Sequence, residues 1–341
     1  MFESGWKSRL FARPGAAGAA SGACVGVQIG KDHVAAVRLR EGASLPVFEA
    51  ARRLQWDGAG TTATVRTLSQ EGIFAGARVV LSLPAGKYDV VSVPSPPSVP
   101  EEELRDALRW QMRNVLPYSP DEAAFDFVRL PQAEGAAPGG APAILVVAAQ
   151  RREVAQSVAP FYAAGIEIDA VDIPEMIQRN LLAGGGDHVC RAFLSFDDDS
   201  SLLTVQLGDE LCFSRRMQLP AVQMEEEPEH VADRIATNVQ RSLEVFARQS
   251  NLPEVVRIVV GVHPHATLVA RAIAEQADIA ATLFEPTGLV EGIADRAGEG
   301  AFAGAESVLA LGAALRREGG SDASRRASPL AAFLARFRKA A

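Results

Sequence analysis

The sequence predicts an α/β protein of two strand-rich lobes, with a smaller αβ module set into the first. Three observations point there. Short apolar, β-type runs alternate with helical patterns along nearly the whole chain. A strand hairpin opens near Val25 and another near Arg191, and each half then closes with helices, which suggests an internal duplication. The order β-α-β-β-α from about Val90 to Ala164 is a compact αβ module of its own. At 341 residues the chain exceeds one small core, so two or three folding units are expected.

Taken in order, residues 25–29 and 34–39 read as a hairpin, and 78–83 and 90–93 as short apolar strands separated by Pro84-Ala85-Gly86. A helix follows, with Ser98 and Glu101 at capping-box spacing. Leu104, Leu108, Met112 and Val115 form its buried face, and Pro117 stops it. Residues 125–130 are strand-like, 135–142 a Gly/Ala/Pro loop, 143–149 a buried strand, and 151–164 a helix ended by Gly165. Strand 166–173 and helix 174–182 lead to Gly184-Gly185-Gly186, a hinge or linker. Strands 191–196, 202–207 and 210–216 open the second half. The acidic run 225–229 starts a helix to about Ser250, where carboxylates complement the helix dipole. Strand 257–262, helix 267–277, strand 282–284 and helix 306–317 complete the pattern.

Composition narrows the function. The net charge of −8 argues against a general nucleic-acid binder, which presents a basic stripe. Cys24, Cys190 and Cys212 form no CxxC pair and read as buried free thiols in a reducing compartment. No stretch approaches the roughly 20 apolar residues that span a bilayer, and the Ala/Gly run after Pro14 is too weakly apolar for a signal-peptide core. The chain therefore reads as cytoplasmic. At the N-terminus Phe2, Trp6 and Leu10 share a helical face; at the C-terminus Leu330, Phe333, Leu334 and Phe337 do, beside Arg336, Arg338 and Lys339. These ends suit basic amphipathic helices on an acidic membrane surface, or tails that fray or pack on a partner.

Several segments carry a family resemblance. Val25-Gly-Val-Gln-Ile-Gly30 looks like the first strand and phosphate turn of an actin-like nucleotide-binding fold. Ala-Leu-Arg-Trp-Gln-Met-Arg-Asn-Val-Leu-Pro at 107–117, then Phe125-Asp126-Phe127, looks like a helix and strand of an inserted subdomain. Gly165-Ile-Glu-Ile-Asp-Ala-Val-Asp172 resembles the return strand, Asn238-Val-Gln-Arg-Ser-Leu243 a signature helix, and 307–316, centred on Leu311-Gly312, the closing helix. Together these resemble the PilM/MshI family of type IV pilus biogenesis proteins over about residues 23–317. Gln28 and the long tails look more like the MshI branch, which serves MSHA-type pili.

The resemblance implies an actin-like (ribonuclease H-like) two-lobed α/β fold with an inserted small αβ subdomain of FtsA/PilM type. It divides the chain into an N-terminal tail, 1–22; a first actin-like subdomain, 23–87 with 165–185 and 304–318; the insert, 88–164; a second lobe, 186–303; and a basic C-terminal tail, 319–341. It implies a scaffold peripheral to the inner membrane, on its cytoplasmic face. The expected partner is the cytoplasmic N-terminal segment of a PilN- or MshJ-like single-pass membrane protein, which links the chain to the pilus assembly platform and motor. The contact surface would lie near residues 78–93 and the helix 104–116; no single contact residue carries over.

The cofactor implied is ATP or ADP with magnesium, and its cradle reads as degenerate. At the first turn Gly26, Gln28, Gly30, Lys31 and Asp32 are the candidate residues; backbone amides there suit a phosphate, but Gln28 stands where the family fold usually has an Asp that helps hold magnesium. The competing reading is an ordinary tight hairpin. At the second turn Ser200 and Ser201 survive within Phe-Asp-Asp-Asp-Ser-Ser and Asp197 replaces the usual Asp by a one-residue shift, but the turn glycine is lost, and adjacent carboxylates repel a triphosphate unless a divalent ion screens them; the competing reading is a solvated acidic hairpin turn. At the adenosine turn only Gly261 remains, in Gly-Val-His-Pro-His. His263 and His265 lack further ligands at metal spacing, so no metal site is expected. No catalytic set is identifiable, and three altered turns argue against efficient hydrolysis. The alternatives are an active actin-like ATPase or sugar-kinase relative, and an FtsA-like filament-forming membrane anchor.

Overall fold

The computed structural model describes residues 22–56, 60–131, 143–182, 188–197, 199–218, 221–298 and 300–316. Both amphipathic tails and the glycine run 184–186 lie outside the described residues.

The chain builds one sheet plan twice. In the first sheet, β1 (Ala23–Ile29) pairs antiparallel with β2 (His33–Arg40), which pairs with β3 (Val47–Gln55). On its other side β1 runs parallel to β4 (Arg78–Ser82), which pairs with β8 (Ala170–Asp172). The second sheet repeats this: β9 (Cys190–Phe196), β10 (Ser200–Leu207) and β11 (Glu210–Gln218) form the antiparallel meander, and β12 (Val255–Val260) and β13 (Ala280–Leu283) extend it in parallel. The orders β3-β2-β1-β4-β8 and β11-β10-β9-β12-β13 are the same plan. Between β4 and β8 stands a third, antiparallel sheet, ordered β5 (Asp89–Pro94), β7 (Ala143–Gln150), β6 (Ala123–Arg129).

Helices cover the outer faces. On the first sheet, Val65 and Leu68 of α1 (Gly60–Gln70) and Val154, Val158 and Phe161 of α3 (Arg151–Ala163) pack on Val25, Val27, Val79 and Leu81. α2 (Glu101–Gln111) places Leu104 and Leu108 on the three-stranded sheet. α5 (Ala221–Glu226) leads into α6 (Pro228–Ser250), which with α7 (Ala266–Ala277) covers the second sheet.

Two helices lie between the sheets. α9 (Ala305–Ala314) packs on β1, β2 and β4, while α4 (Pro174–Leu182) packs on β9, β10 and β11, and the two touch each other. α9 reads Ala-Glu-Ser-Val-Leu-Ala-Leu-Gly-Ala-Ala, and its residues from Ser307 onward are all buried. A helix apolar on every side suits a position enclosed on every side. Its core continues into Phe193 and Phe284 of the second lobe and Val290, with Ile293 of the short α8 (Ile293–Arg296).

Three sequence expectations change. The helix expected to run to Pro117 ends at Gln111, and Val115, expected on its buried face, is 51% exposed. The cap of α2 is Pro100, with no side-chain hydrogen bond, and Ser98 sits at a φ of 58°. Proline pre-sets an extended entry to the helix, so Glu101 opens the first turn and the Ser98–Glu101 spacing is coincidental. The return strand is also shorter: of 166–173 only Ala170–Asp172 pairs. β3 and α1 are additional. β3 is a half-exposed edge rich in arginine, and α1 is threonine-rich with only Thr64, Val65 and Leu68 buried, so neither gives a clear period. All three thiols are free and buried.

Candidate functional site

The duplicated hairpins put the two phosphate-turn candidates at equivalent places, β1–β2 and β9–β10. In each, the amide that opens the turn is used to close it: Gly30 N donates to His33 O at 2.8 Å, and Asp197 N to Ser200 O at 2.7 Å. Gly261 N, at the end of β12, donates to Leu194 O at 2.7 Å.

What surrounds each turn decides its chemistry. At the first, a Cβ on Gly30 would stand 2.8 Å from Glu306 Cγ, so the start of α9 presses a carboxylate side chain on the turn. Arg53 of β3 bonds that carboxylate at 3.4 Å and reaches His33 Nδ1 at 3.2 Å, and His33 Nδ1 meets Asp32 Oδ1 at 2.5 Å. The hydrogen bond from His33 holds the Asp32 carboxyl below its ordinary range. Donor atoms of Asp32, His33 and Glu306 lie within 4.8 Å of one another, the spacing of a metal cluster, but Arg53 already supplies the cation between them. Lys31 is exposed at the turn tip.

Gly26 is not part of this turn. A Cβ there would meet the Ala310 carbonyl oxygen at 2.0 Å, so Gly26 serves the contact between β1 and α9. Gln28 is buried; its Nε2 donates to Ile29 O at 2.9 Å and its Oε1 has no partner. In register Gln28 sits beside Ser82, and Ser82 beside Asp172, a polar row across the carboxyl ends of β1, β4 and β8. The hydroxyls of Ser82 and Ser307 are likewise buried without partners. Asp172 is held by Arg316 and by Ile173 N at 2.9 Å.

At the second turn Ser200 and Ser201 do not act together. Strand alternation sends them to opposite faces of β10. Ser201 shares the parity of Leu203 and Val205, which face α6, and its buried hydroxyl has no partner. Ser200 faces inward and accepts from Arg216 Nη1 at 3.1 Å. Arg216 of β11 also reaches Tyr88 Oη at 2.9 Å and Glu175 Oε1 at 3.3 Å, while Tyr88 Oη donates to Glu175 Oε2 at 2.7 Å. Burial lowers the Arg216 pKa, but Tyr88, Glu175 and Asp197 outweigh it and the net shift is upward. Burial, then the negative charge of Glu175, pushes the Tyr88 hydroxyl well above its ordinary value.

At the third turn a Cβ on Gly261 would lie 3.0 Å from Leu194 O, and the His263 ring sits on Phe196 with centroids 4.8 Å apart. Burial, and then the neighbouring His265, lower the His263 pKa to about 4. The chain's own imidazole thus packs against an aromatic ring at this turn.

A triphosphate fits this set poorly on charge. It would meet Asp32 and Glu306 at one turn and Asp197 at the other, while Arg53 and Arg216 are already committed to carboxylates. Arg53, Glu306, Tyr88, Glu175 and Arg216 are absent from the sequence-level site. A signal existed for two of them: Arg215-Arg216 follows the apolar run Leu211-Cys212-Phe213 within one strand, and Glu175 follows the helix-opening Pro174.

No protein of curated function matches the chain in sequence. Residues 59–227 match the family described as Type IV pilus assembly protein PilM. Among solved structures, the chain resembles the PilM-PilN type IV pilus biogenesis complex with a TM-score of 0.65 and 19% identity, over 86% of this chain and 97% of that one. It is more distantly similar to the cytoplasmic domain of EpsL, an inner membrane component of the Vibrio cholerae type II secretion system (TM-score 0.45, 13% identity, 70% and 81% covered). A third is the ethanolamine utilization protein EutJ of Carboxydothermus hydrogenoformans (0.43, 13%, 86% and 89%). The doubled sheets and crossing helices are the actin-like two-lobed fold.

Proposed function

We propose that this chain is a PilM-type scaffold of a type IV pilus assembly machine, and that it holds the cytoplasmic N-terminal segment of a PilN-like single-pass inner-membrane protein. The observation that carries this reading is the PilM family match over residues 59–227, which spans the whole inserted subdomain. The PilM of the solved complex, which shares the fold, is a partner of PilN. Among the described residues no helix is long and apolar enough to cross a membrane, which suits a protein that meets the bilayer through a partner.

The segment would lie between the first lobe and the insert. β4 is buried between β1 and β8, so the contact surface narrows to the turn 84–88, β5 and the outer flank of α2. β5 is an edge strand with half-exposed residues, and strand addition is the natural way to hold an extended tail there. Trp110 on α2, 69% exposed, and Val115, 51% exposed, offer apolar anchors on the same subdomain.

In this reading the lobes serve as a rigid holder, with nucleotide binding weak or lost and no efficient hydrolysis. Support comes from the internal bonding of Gly30, Asp197 and Gly261 and from the carboxylates at both phosphate turns. Gln28 and the tails favour an MSHA-type machine with an MshJ-like partner, and a place on the inner membrane's cytoplasmic face. The test is fluorescence anisotropy of a labelled peptide copying the N-terminal segment of the single-pass membrane protein encoded beside this chain. Saturable binding that unlabelled peptide displaces is expected. No binding by the folded chain, or unchanged surface pili after its deletion, overturns the assignment.

A further inference from the structure

The three structural units meet at one guanidinium. Arg216 belongs to β11 of the second lobe and bonds Ser200 of the neighbouring β10. Its Nη2 reaches Glu175, in the first turn of α4 just after β8 of the first sheet. The same nitrogen reaches Tyr88, the last residue before β5 enters the inserted subdomain. Glu175 is only 3% exposed, so the bonds form where water competes little. Beneath them runs an apolar seam with the same three contributors: Leu145 and Val147 of the insert, Ile173 and Met176 leading into α4, and Leu211 of β11. Lys87, next to Tyr88, bonds Glu153 of α3 at 2.6 Å and anchors the other side of the entry turn.

We propose that Arg216 is a built-in latch: it fixes the inserted subdomain and the second lobe against the first without any ligand in the cleft. In a nucleotide-dependent relative of this architecture, a ligand between the lobes would have to supply that bridge. Here the second phosphate turn spends its inward hydroxyl, Ser200, on the latch, and Arg216, the cation beside that hydroxyl, is paired with Glu175. Guanidinium geometry matters, because one planar fork must address a hydroxyl, a phenol and a carboxylate together; a lysine is a point charge and cannot. Tyr88 makes the latch sensitive to the insert, since rotating the insert about the 84–88 turn moves the phenol out of reach. The consequence for partner binding rests on the scaffold reading above: the groove beside β5 would be held in one shape.

The test is a distance measurement on the full chain that needs no partner. Spin labels at Glu102→Cys on α2 and Glu244→Cys on α6, both exposed, report insert against second lobe, the native thiols being buried. Double electron–electron resonance should give one narrow distance, unchanged by magnesium ATP. Arg216→Gln should broaden it or add a second distance, and should speed amide exchange in β5 and in the first turn of α4 by roughly tenfold or more, as loss of a buried charge-assisted bond implies. Arg216→Lys should rescue only in part. Tyr88→Phe, which keeps the ring and removes the hydroxyl, gives the same readout if Arg216→Gln does not fold. A narrow distance indistinguishable from wild type in the folded Arg216→Gln or Tyr88→Phe chain overturns the latch, as does a broad wild-type distribution. Loss of peptide binding with an intact distance would count against the scaffold reading alone.

Discussion

Gly26 of β1 lies directly beneath Ala310 of α9: a Cβ on Gly26 would stand 2.0 Å from the Ala310 oxygen and 2.3 Å from Ala314 N. On the other side of α9, a Cβ on Gly312 would stand 2.6 Å from Ile177 Cγ2 of α4, and Asn180 Nδ2 bonds the Gly312 oxygen at 2.9 Å. The helix between the lobes is therefore seated by two missing side chains, one on the sheet below and one on the helix itself. This close approach joins the first sheet to α4, which packs on the second.

Gly26→Ala should destabilise the chain more than Gly312→Ala. The new methyl at 26 meets only backbone atoms, the nearest at 2.0 Å, which cannot step aside without moving α9; at 312 its nearest neighbour is a side-chain methyl at 2.6 Å and one backbone oxygen, of Ile177, lies at 2.8 Å. Overpacking of this kind costs about 1–3 kcal/mol, and a backbone clash belongs at or above the top of that range. Thermal or urea unfolding of the two variants checks the order. An unshifted midpoint for Gly26→Ala would remove the packing role and return the residue to the turn chemistry.

Asp172 and Arg316 form a buried pair, with the carboxylate 1% exposed. Arg316→Met should cost no more than the low end of the range of about 3–5 kcal/mol usual when a buried charge loses its partner, because Arg179 and Ile173 N still attend the Asp172 carboxylate. The double variant Asp172→Asn with Arg316→Met should lose less than the two single losses combined, since no uncompensated charge remains. Additive losses in a double-mutant cycle would mean that the two residues act separately.

His263 makes stability pH-dependent. Its folded pKa of about 4 lies below the ordinary 6.5, so the unfolded chain binds the proton more readily. The stabilisation is complete above about pH 6.5 and is lost as pH falls toward 4, the unfolded state taking up the proton first. With its partial exposure screening the charge, an effect of roughly 1–2 kcal/mol is expected. Urea midpoints at pH 7.5 and 5, for the native chain and for His263→Phe, measure it; the variant keeps the ring contact with Phe196 and should flatten this part of the pH profile. An unaltered profile would locate the titration elsewhere.

Much of the fold was legible because its strands are short, apolar and bounded by glycine or proline. The β-α-β-β-α insert and helix 174–182 fall where periodicity places them. β3 and α1 were not legible, since an arginine-rich edge strand and a threonine-rich helix carry no clear period. The site was legible only as turns. Sequence spacing located the hairpins at Gly30 and Asp197, but the residues that fill them come from far away: Glu306 meets Gly30 from beyond the insert and the second lobe, and Tyr88 and Arg216 are 128 residues apart. No local pattern encodes such meetings. Gly26 shows the converse, since a glycine beside a turn looks like phosphate chemistry until the helix above it is seen.

The nucleotide question yields to a measurement of stability. A ligand that binds only the folded chain stabilises it by about 2.7 kcal/mol at a hundred times its dissociation constant. If magnesium ATP bound with micromolar affinity, millimolar concentrations would raise the unfolding midpoint by several degrees. The expected result is no shift, because the cradle is filled at three places: Glu306 and Arg53 at the first turn, Arg216 at the second, and His263 against Phe196 at the third. Glu306→Ala should not restore binding, since it relieves one carboxylate and leaves the other two turns as they are. A clear upward shift in the native chain would overturn the rigid-holder reading, for the lobes would then be responding to a ligand that the charges of their own cleft oppose.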